Sequence, residues 1–179
     1  MSIPALYTIA IWSPAGYDTS NYSYTLSRIL AEKISVMLVE LPCLGIPRLA
    51  TVADLMDREK NTENAIREIE RNGDFSRQDF FERKGNLAVL SASIFACPDY
   101  PFVMKVKLET LINFPQKIIE YGIKKGSKAV VFECQGQISN PMTFFALKSS
   151  DMVLIPISKN KELTFTLVNL NCLVKSLKF

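Results

Sequence analysis

The chain has 179 residues, enough for one domain with a substantial buried core. Its 21 basic and 18 acidic residues leave a net charge of +3, too mild to argue for nucleic acid or an anionic surface without a local cluster. It contains no histidine, which excludes Ser-His and Cys-His nucleophile systems and histidine-containing zinc sites.

Cys43, Cys97, Cys134 and Cys172 are scattered without C-x-x-C spacing and read as reduced core residues of a cytoplasmic protein. The start, Met1 to Ala5, lacks a basic region and a cleavable apolar segment. No apolar run approaches the ~18 residues needed to cross a bilayer, so the expectation is a soluble protein.

The first predicted strand, Leu6 to Trp12, enters a small-residue turn, Ser13 to Ser20, and a helix from Thr25 to Lys33. A strand, a tight turn and a helix N-terminus form the setting in which backbone N–H groups take a phosphate. A second strand, Ser35 to Glu40, runs into a segment shaped by Pro42, Gly45 and Pro47. Arg48, just beyond, is the nearby cation that could replace a phosphate contact, although its ordinary reading is a surface or salt-bridging residue. From Asp54 to Arg83 the chain is rich in both charges and reads as surface helices, with Glu63 to Asn72 exposed on most sides, or as a partner surface.

A third strand is expected at Asn86 to Ala92, followed by a helix from Lys105 to Lys124 with Leu108, Leu111, Ile112, Ile118 and Ile119 at helical spacing. Lys117, Lys124, Lys125 and Lys128 read as a solvated face, with a weak DNA or membrane patch as the alternative. The remaining elements are a strand at Ala129 to Cys134, a helix at Pro141 to Lys148 capped by Asn140, and a strand at Met152 to Ile157. The stretch from Glu162 to Phe179 is apolar on more than one side if helical, and suits packing on the sheet or pairing with a second copy.

Strands apolar on both faces imply cover on two sides, hence a mostly parallel sheet. Alternation with helices gives a single doubly wound α/β domain over residues 1–179. In that architecture ligands meet the carboxyl ends of strands, where Ser13 to Ser20, Glu40 to Gly45 and Glu133 to Asn140 would converge.

Ile11 to Lys33, Ser35 to Glu40, Ala129 to Gly136 and Ala146 to Ile157 resemble successive landmarks of the MinD/ParA family, the deviant Walker-A ATPases that include the CpaE/TadZ proteins of pilus systems. The resemblance implies a P-loop NTPase-like fold, C-terminally shortened, since the strands that supply contacts to adenine would follow Phe179. Aligned on the first helix, the family's phosphate loop falls on Pro14, Ala15, Gly16, Tyr17, Asp18, Thr19, Ser20 and Asn21. Its signature lysine lands on Pro14, its second lysine on Thr19, and the glycine before that lysine on Asp18. Ser20 keeps a hydroxyl. Glu40 matches the family's strand-end acid and Glu133-Cys134-Gln135-Gly136 its Asp-x-x-Gly element, which makes both glutamates vestigial acidic positions.

One change in this loop deletes a positive charge and another adds a negative one. Two unit charges about 4 Å apart at an effective dielectric near 20 interact by roughly 4 kcal/mol, so the exchange can remove several orders of magnitude in nucleotide affinity. The expectation is therefore a turn capped by Asp18, Thr19 or Ser20. It has no catalytic residue, no metal site and no cofactor beyond weak ATP with magnesium. The implied role is a non-catalytic or weakly nucleotide-binding scaffold for interaction or localisation in pilus, conjugation, division or plasmid machinery. Such a scaffold would have a protein partner, form a homodimer as the family does, and be recruited to a membrane-associated complex. Two alternatives stay open: an atypical ATPase with a non-standard cation in place of the lysine, and a flavodoxin-like domain holding FMN.

Overall fold

The computed structural model describes residues 6–14, 18–41, 47–55, 57–75, 79–93, 105–134 and 136–157. The expectations placed on Ala15, Gly16, Tyr17, Pro42, Cys43, Gly45, Cys97, Gln135, Cys172 and the stretch after Ile157 lie outside these residues.

Among the described residues six strands form one sheet: β1 (Tyr7–Trp12), β2 (Val36–Glu40), β3 (Glu82–Lys84), β4 (Leu87–Leu90), β5 (Ala129–Cys134) and β6 (Met152–Leu154). Their order is β3-β4-β2-β5-β1-β6, parallel throughout except for the antiparallel β3–β4 pair. The described residues also form five helices: α1 (Ser20–Ala31), α2 (Leu49–Val52), α3 (Thr62–Asn72), α4 (Leu108–Lys124) and α5 (Pro141–Ser149). This is the doubly wound, mostly parallel α/β architecture expected from the apolar runs, and all five predicted strands are present, β5 with its expected bounds and the other four with trimmed ends.

The sheet is covered on both faces, and the strand residues divide between them with period two. Ala10, Trp12, Met37, Val39, Val130 and Phe132 pack with Ala65, Ile66, Leu111, Phe114, Ile118 and Met142 of α3, α4 and α5. Ile11, Val36, Leu38, Ala129 and Val131 pack instead with Leu49 and Ala50 of α2 and with Tyr24, Leu26 and Leu30 of α1. Burying whole aliphatic and aromatic side chains contributes about 1.5–3 kcal/mol each, so these two layers supply most of the driving force. Close approach is also built in. A Cβ on Gly122 of α4 would sit 3.1 Å from Val130 Cγ2, so a larger residue there would have to push the helix or Val130 aside by a few tenths of an ångström.

The polar elements depart from the expectations. The first helix begins at Ser20, because Ser20, Ser23 and Ser27 form its buried side. Helical-spacing analysis looks for an apolar stripe, and here the stripe is serine. α3 is not exposed on most sides: Thr62, Glu63, Ala65, Ile66 and Ile69 are buried, the last three in the same core cluster as α4. Strand β3 reads Glu82-Arg83-Lys84 and carries no apolar alternation, since as an edge strand it owes its place to the β3–β4 hairpin turned at Gly85, with φ +63°. The Asn140 cap is present as expected, accepting the Met142 amide at 3.0 Å with Pro141 in the first turn.

Edge strand β6 is tied to β1 by Asp151. Its Oδ2 accepts the Thr8 amide at 2.8 Å and the Thr8 hydroxyl at 2.7 Å, while its own amide donates back to Thr8 Oγ1 at 2.8 Å. This clasp is what the Ser149-Ser150-Asp151 landmark builds.

Candidate functional site

The carboxyl ends of β1, β2 and β5 lie side by side, and the register sets Glu40 directly opposite Glu133. Alternation places both on the α1–α2 face of the sheet, after Leu38 and Val131. Both are buried, at 2% and 3% exposure.

The turn after β1 meets Glu133. Thr19 Oγ1 donates to Glu133 Oε1 at 3.1 Å and Ser20 Oγ donates to the same oxygen at 2.5 Å. Glu133 Oε2 is buried and has no hydrogen-bond partner among the described residues. Asp18 turns the other way. Its Oδ1 accepts the Ser20 amide at 3.0 Å, at the first turn of α1, and its Oδ2 pairs with Arg48 Nη1 at 3.1 Å. The amide that a phosphate would claim at this helix start is thus held by an aspartate. Asn21 points outward on α1, and Pro14 begins the turn.

Glu40 gathers three chain segments. Oε1 accepts the amides of Arg48 and Leu49 at 3.1 and 3.4 Å, and Oε2 accepts the Ala92 amide at 2.8 Å. Its carboxylate therefore caps the start of α2 and holds the exit of β4. The backbone does the same: Glu40 O accepts Thr62 Oγ1 at 2.9 Å, and Leu41 N donates to Glu133 O at 3.0 Å. Glu63 completes the set by accepting the Ser93 amide at 2.8 Å. Glu63, Ala92 and Ser93 were not picked out as site residues. The Asn61-Thr62-Glu63 helix start, an N-cap followed by a first-turn acid, was the available signal.

The electrostatics separate these acids. Burial raises Glu40 to about 7, against the pull of the Ala92, Arg48 and Leu49 amides. Burial also raises Glu133, to about 8, and the facing Glu40 carboxyl adds to it. Glu63 is raised by burial as well. Asp18 goes the other way: its partial burial favours the neutral form, but the Ser20 amide and Arg48 outweigh it and hold the carboxyl below the ordinary range. Among the described residues no group of three or more acids or cysteines is placed to hold a metal ion. Cys134 is a free, buried thiol on the opposite face of the sheet.

The sheet order and its covering helices make a P-loop NTPase-like fold, shared with solved plasmid partition and ParA family proteins. By sequence the chain matches no protein-family model and no curated protein. Solved structures do match. A plasmid partition protein from Borrelia burgdorferi superposes with a TM-score of 0.74 at 17% identity, over 98% of this chain and 76% of that one. A putative plasmid partition protein from the same organism, bound to AMPPNP, gives 0.63 at 19% identity over 98% and 71%. A ParA family ATPase from Chlorobium tepidum gives 0.66 at 13% identity over 89% and 64%. At such identities the likeness is one of fold, and the chain spans about two thirds to three quarters of these proteins' length. No described helix is long and apolar enough to cross a membrane.

Proposed function

We propose that this chain is a non-catalytic MinD/ParA-like protein, at most a weak binder of nucleotide, that serves as an interaction or localisation scaffold for a protein partner and pairs with a second copy of itself. The observation that carries this reading is Asp18, whose carboxylate takes both the Ser20 amide and the Arg48 guanidinium. A triphosphate entering the turn would meet an anion at the helix start, Thr19 in place of a lysine, and hydroxyls already committed to Glu133. These residues do not fit a magnesium triphosphate. With the chemistry withdrawn and the fold retained, what the domain has to offer is its surface. Plasmid partition proteins of the same fold make plasmid or related positioning machinery the natural setting, alongside pilus, conjugation and division systems.

A second reading, an atypical ATPase, draws on two observations: a protein of this fold was captured with AMPPNP, and the Arg48 side chain is 60% exposed, free to swing from Asp18 to a phosphate. Calorimetric titration with magnesium and ATP separates the two. The scaffold reading expects no binding heat up to millimolar nucleotide. Micromolar binding overturns it and favours the ATPase.

A further inference from the structure

Glu40 and Glu133 are two acids, each almost wholly withdrawn from water, set opposite one another on neighbouring parallel strands. Each holds different pieces of the strand-end turns: Glu133 the hydroxyls of Thr19 and Ser20, Glu40 the amides of Arg48, Leu49 and Ala92. Glu40 has donors on both oxygens, as a carboxylate requires. Glu133 has donors on Oε1 alone, and its buried Oε2 meets no donor among the described residues. Two like charges facing one another in a dry site repel, which suits one ionised and one protonated acid, and Glu40, with donors on both oxygens, is the one built for charge.

We propose that the Glu40–Glu133 pair is a proton-operated latch: holding a proton on Glu133, it keeps the starts of α1 and α2 and the exit of β4 drawn together, and losing that proton to solvent water drives these segments apart. The inference goes beyond the scaffold role and needs no nucleotide for its test.

Charged and titratable groups face the pair from three packed elements. From the start of α1 come Asp18 and the two hydroxyls; from the start of α2 comes Arg48, whose guanidinium is engaged by Asp18 and whose amide serves Glu40; from α3 comes Glu63, itself near Arg67. Among these described groups, the one cation reaching the pair does so through its backbone. Burial, then the charge of the facing Glu40, puts Glu133 at about 8; burial, with Glu63 adding to it against the three amides, puts Glu40 at about 7. Asp18 is held low and stays ionised in this range, while Cys134 is raised by burial beyond it.

The sign follows from linkage. Both folded values lie above the ordinary glutamate value of 4.5, so the folded chain binds protons more tightly than the unfolded one. The stabilisation is fully present below pH 4.5 and is lost as pH rises through about 8. Thermal unfolding of the full chain between pH 5 and 9.5, followed by circular dichroism and by the fluorescence of its one tryptophan, Trp12, reads this directly. The wild type is expected to lose roughly 5 °C or more across the range. Glu133→Gln is expected to flatten the upper part of the curve and to melt above the wild type at pH 9, with Glu63 leaving a residual slope at lower pH. Hydrogen exchange adds the conformational readout: the Leu49 and Ala92 amides should lose protection above pH 8 in the wild type, beyond the intrinsic rise of exchange with pH, and keep it in Glu133→Gln. A flat wild-type curve, or a variant with the wild-type slope, overturns the latch. If Glu133→Gln does not fold, infrared spectroscopy of the wild type decides: a buried protonated carboxyl band present at pH 6 and gone by pH 9.5 supports the proposal, and its absence at pH 6 overturns it.

Discussion

A carboxyl group fastens each end of strand β1, and the two fastenings are built differently. At the amino end, Asp151 spends its charge on the Thr8 hydroxyl and amide, which hold it below the ordinary carboxylate range. At the other end, Glu133 takes the Thr19 and Ser20 hydroxyls on one oxygen, faces Glu40, and is pushed up by burial. The first is a staple at any ordinary pH. The second depends on its proton. An acid surrounded by donors stabilises the fold outright, whereas an acid set against another acid makes the local structure conditional.

The comparison can be broken by removing each acid in turn. The largest effect should come from Glu40→Ala, which leaves the amides of Arg48, Leu49 and Ala92 without an acceptor. A buried donor left unsatisfied costs about 1–3 kcal/mol, and relief of the repulsion with Glu133 returns part of that, so the net loss should be about 3 kcal/mol as a urea midpoint shift at pH 7. Asp151→Ala should cost less, about 1–2 kcal/mol, since its site is partly exposed and water can take over. Its pH behaviour is the opposite of the glutamates'. The depressed Asp151 contributes above its unfolded value of 3.8 and loses that contribution as pH falls through the folded value, so wild type and variant should converge in acid. Equal losses for both variants at neutral pH, or an Asp151→Ala deficit that grows in acid, would break the contrast.

The sheet was legible because parallel strands covered on both faces must be apolar throughout, and Ile9, Val39, Val131 and Phe132 sit in runs that nothing else would explain. Asn140 before Pro141 was equally plain as a helix start. The elements that were missed are those whose cause is not in their own residues. Glu82-Arg83-Lys84 is a strand because Leu87 to Leu90 lies beside it. Ser20, Ser23 and Ser27 face inward on a helix whose inner side carries small polar residues, and the buried Glu63 accepts the Ser93 amide, a partner 30 residues away. The nearness of Glu40 and Glu133 was foreseeable once β2 and β5 were taken as neighbours, but the ion pair of Asp18 with Arg48 spans a loop whose path no local pattern specifies.

The proposed loss of nucleotide binding rests on Asp18, engaged with the Ser20 amide and Arg48, in the place of an anion, and on Thr19, engaged with Glu133, in that of a cation. The direct test is calorimetric titration of magnesium and ATP into the wild type and into the double variant Asp18→Gly with Thr19→Lys. Removing one negative charge and restoring one positive charge should raise affinity at least about tenfold, since each close charge contact can supply more than the 1.4 kcal/mol that a factor of ten requires. A wild type that binds in the micromolar range, as tightly as the double variant, would contradict the account.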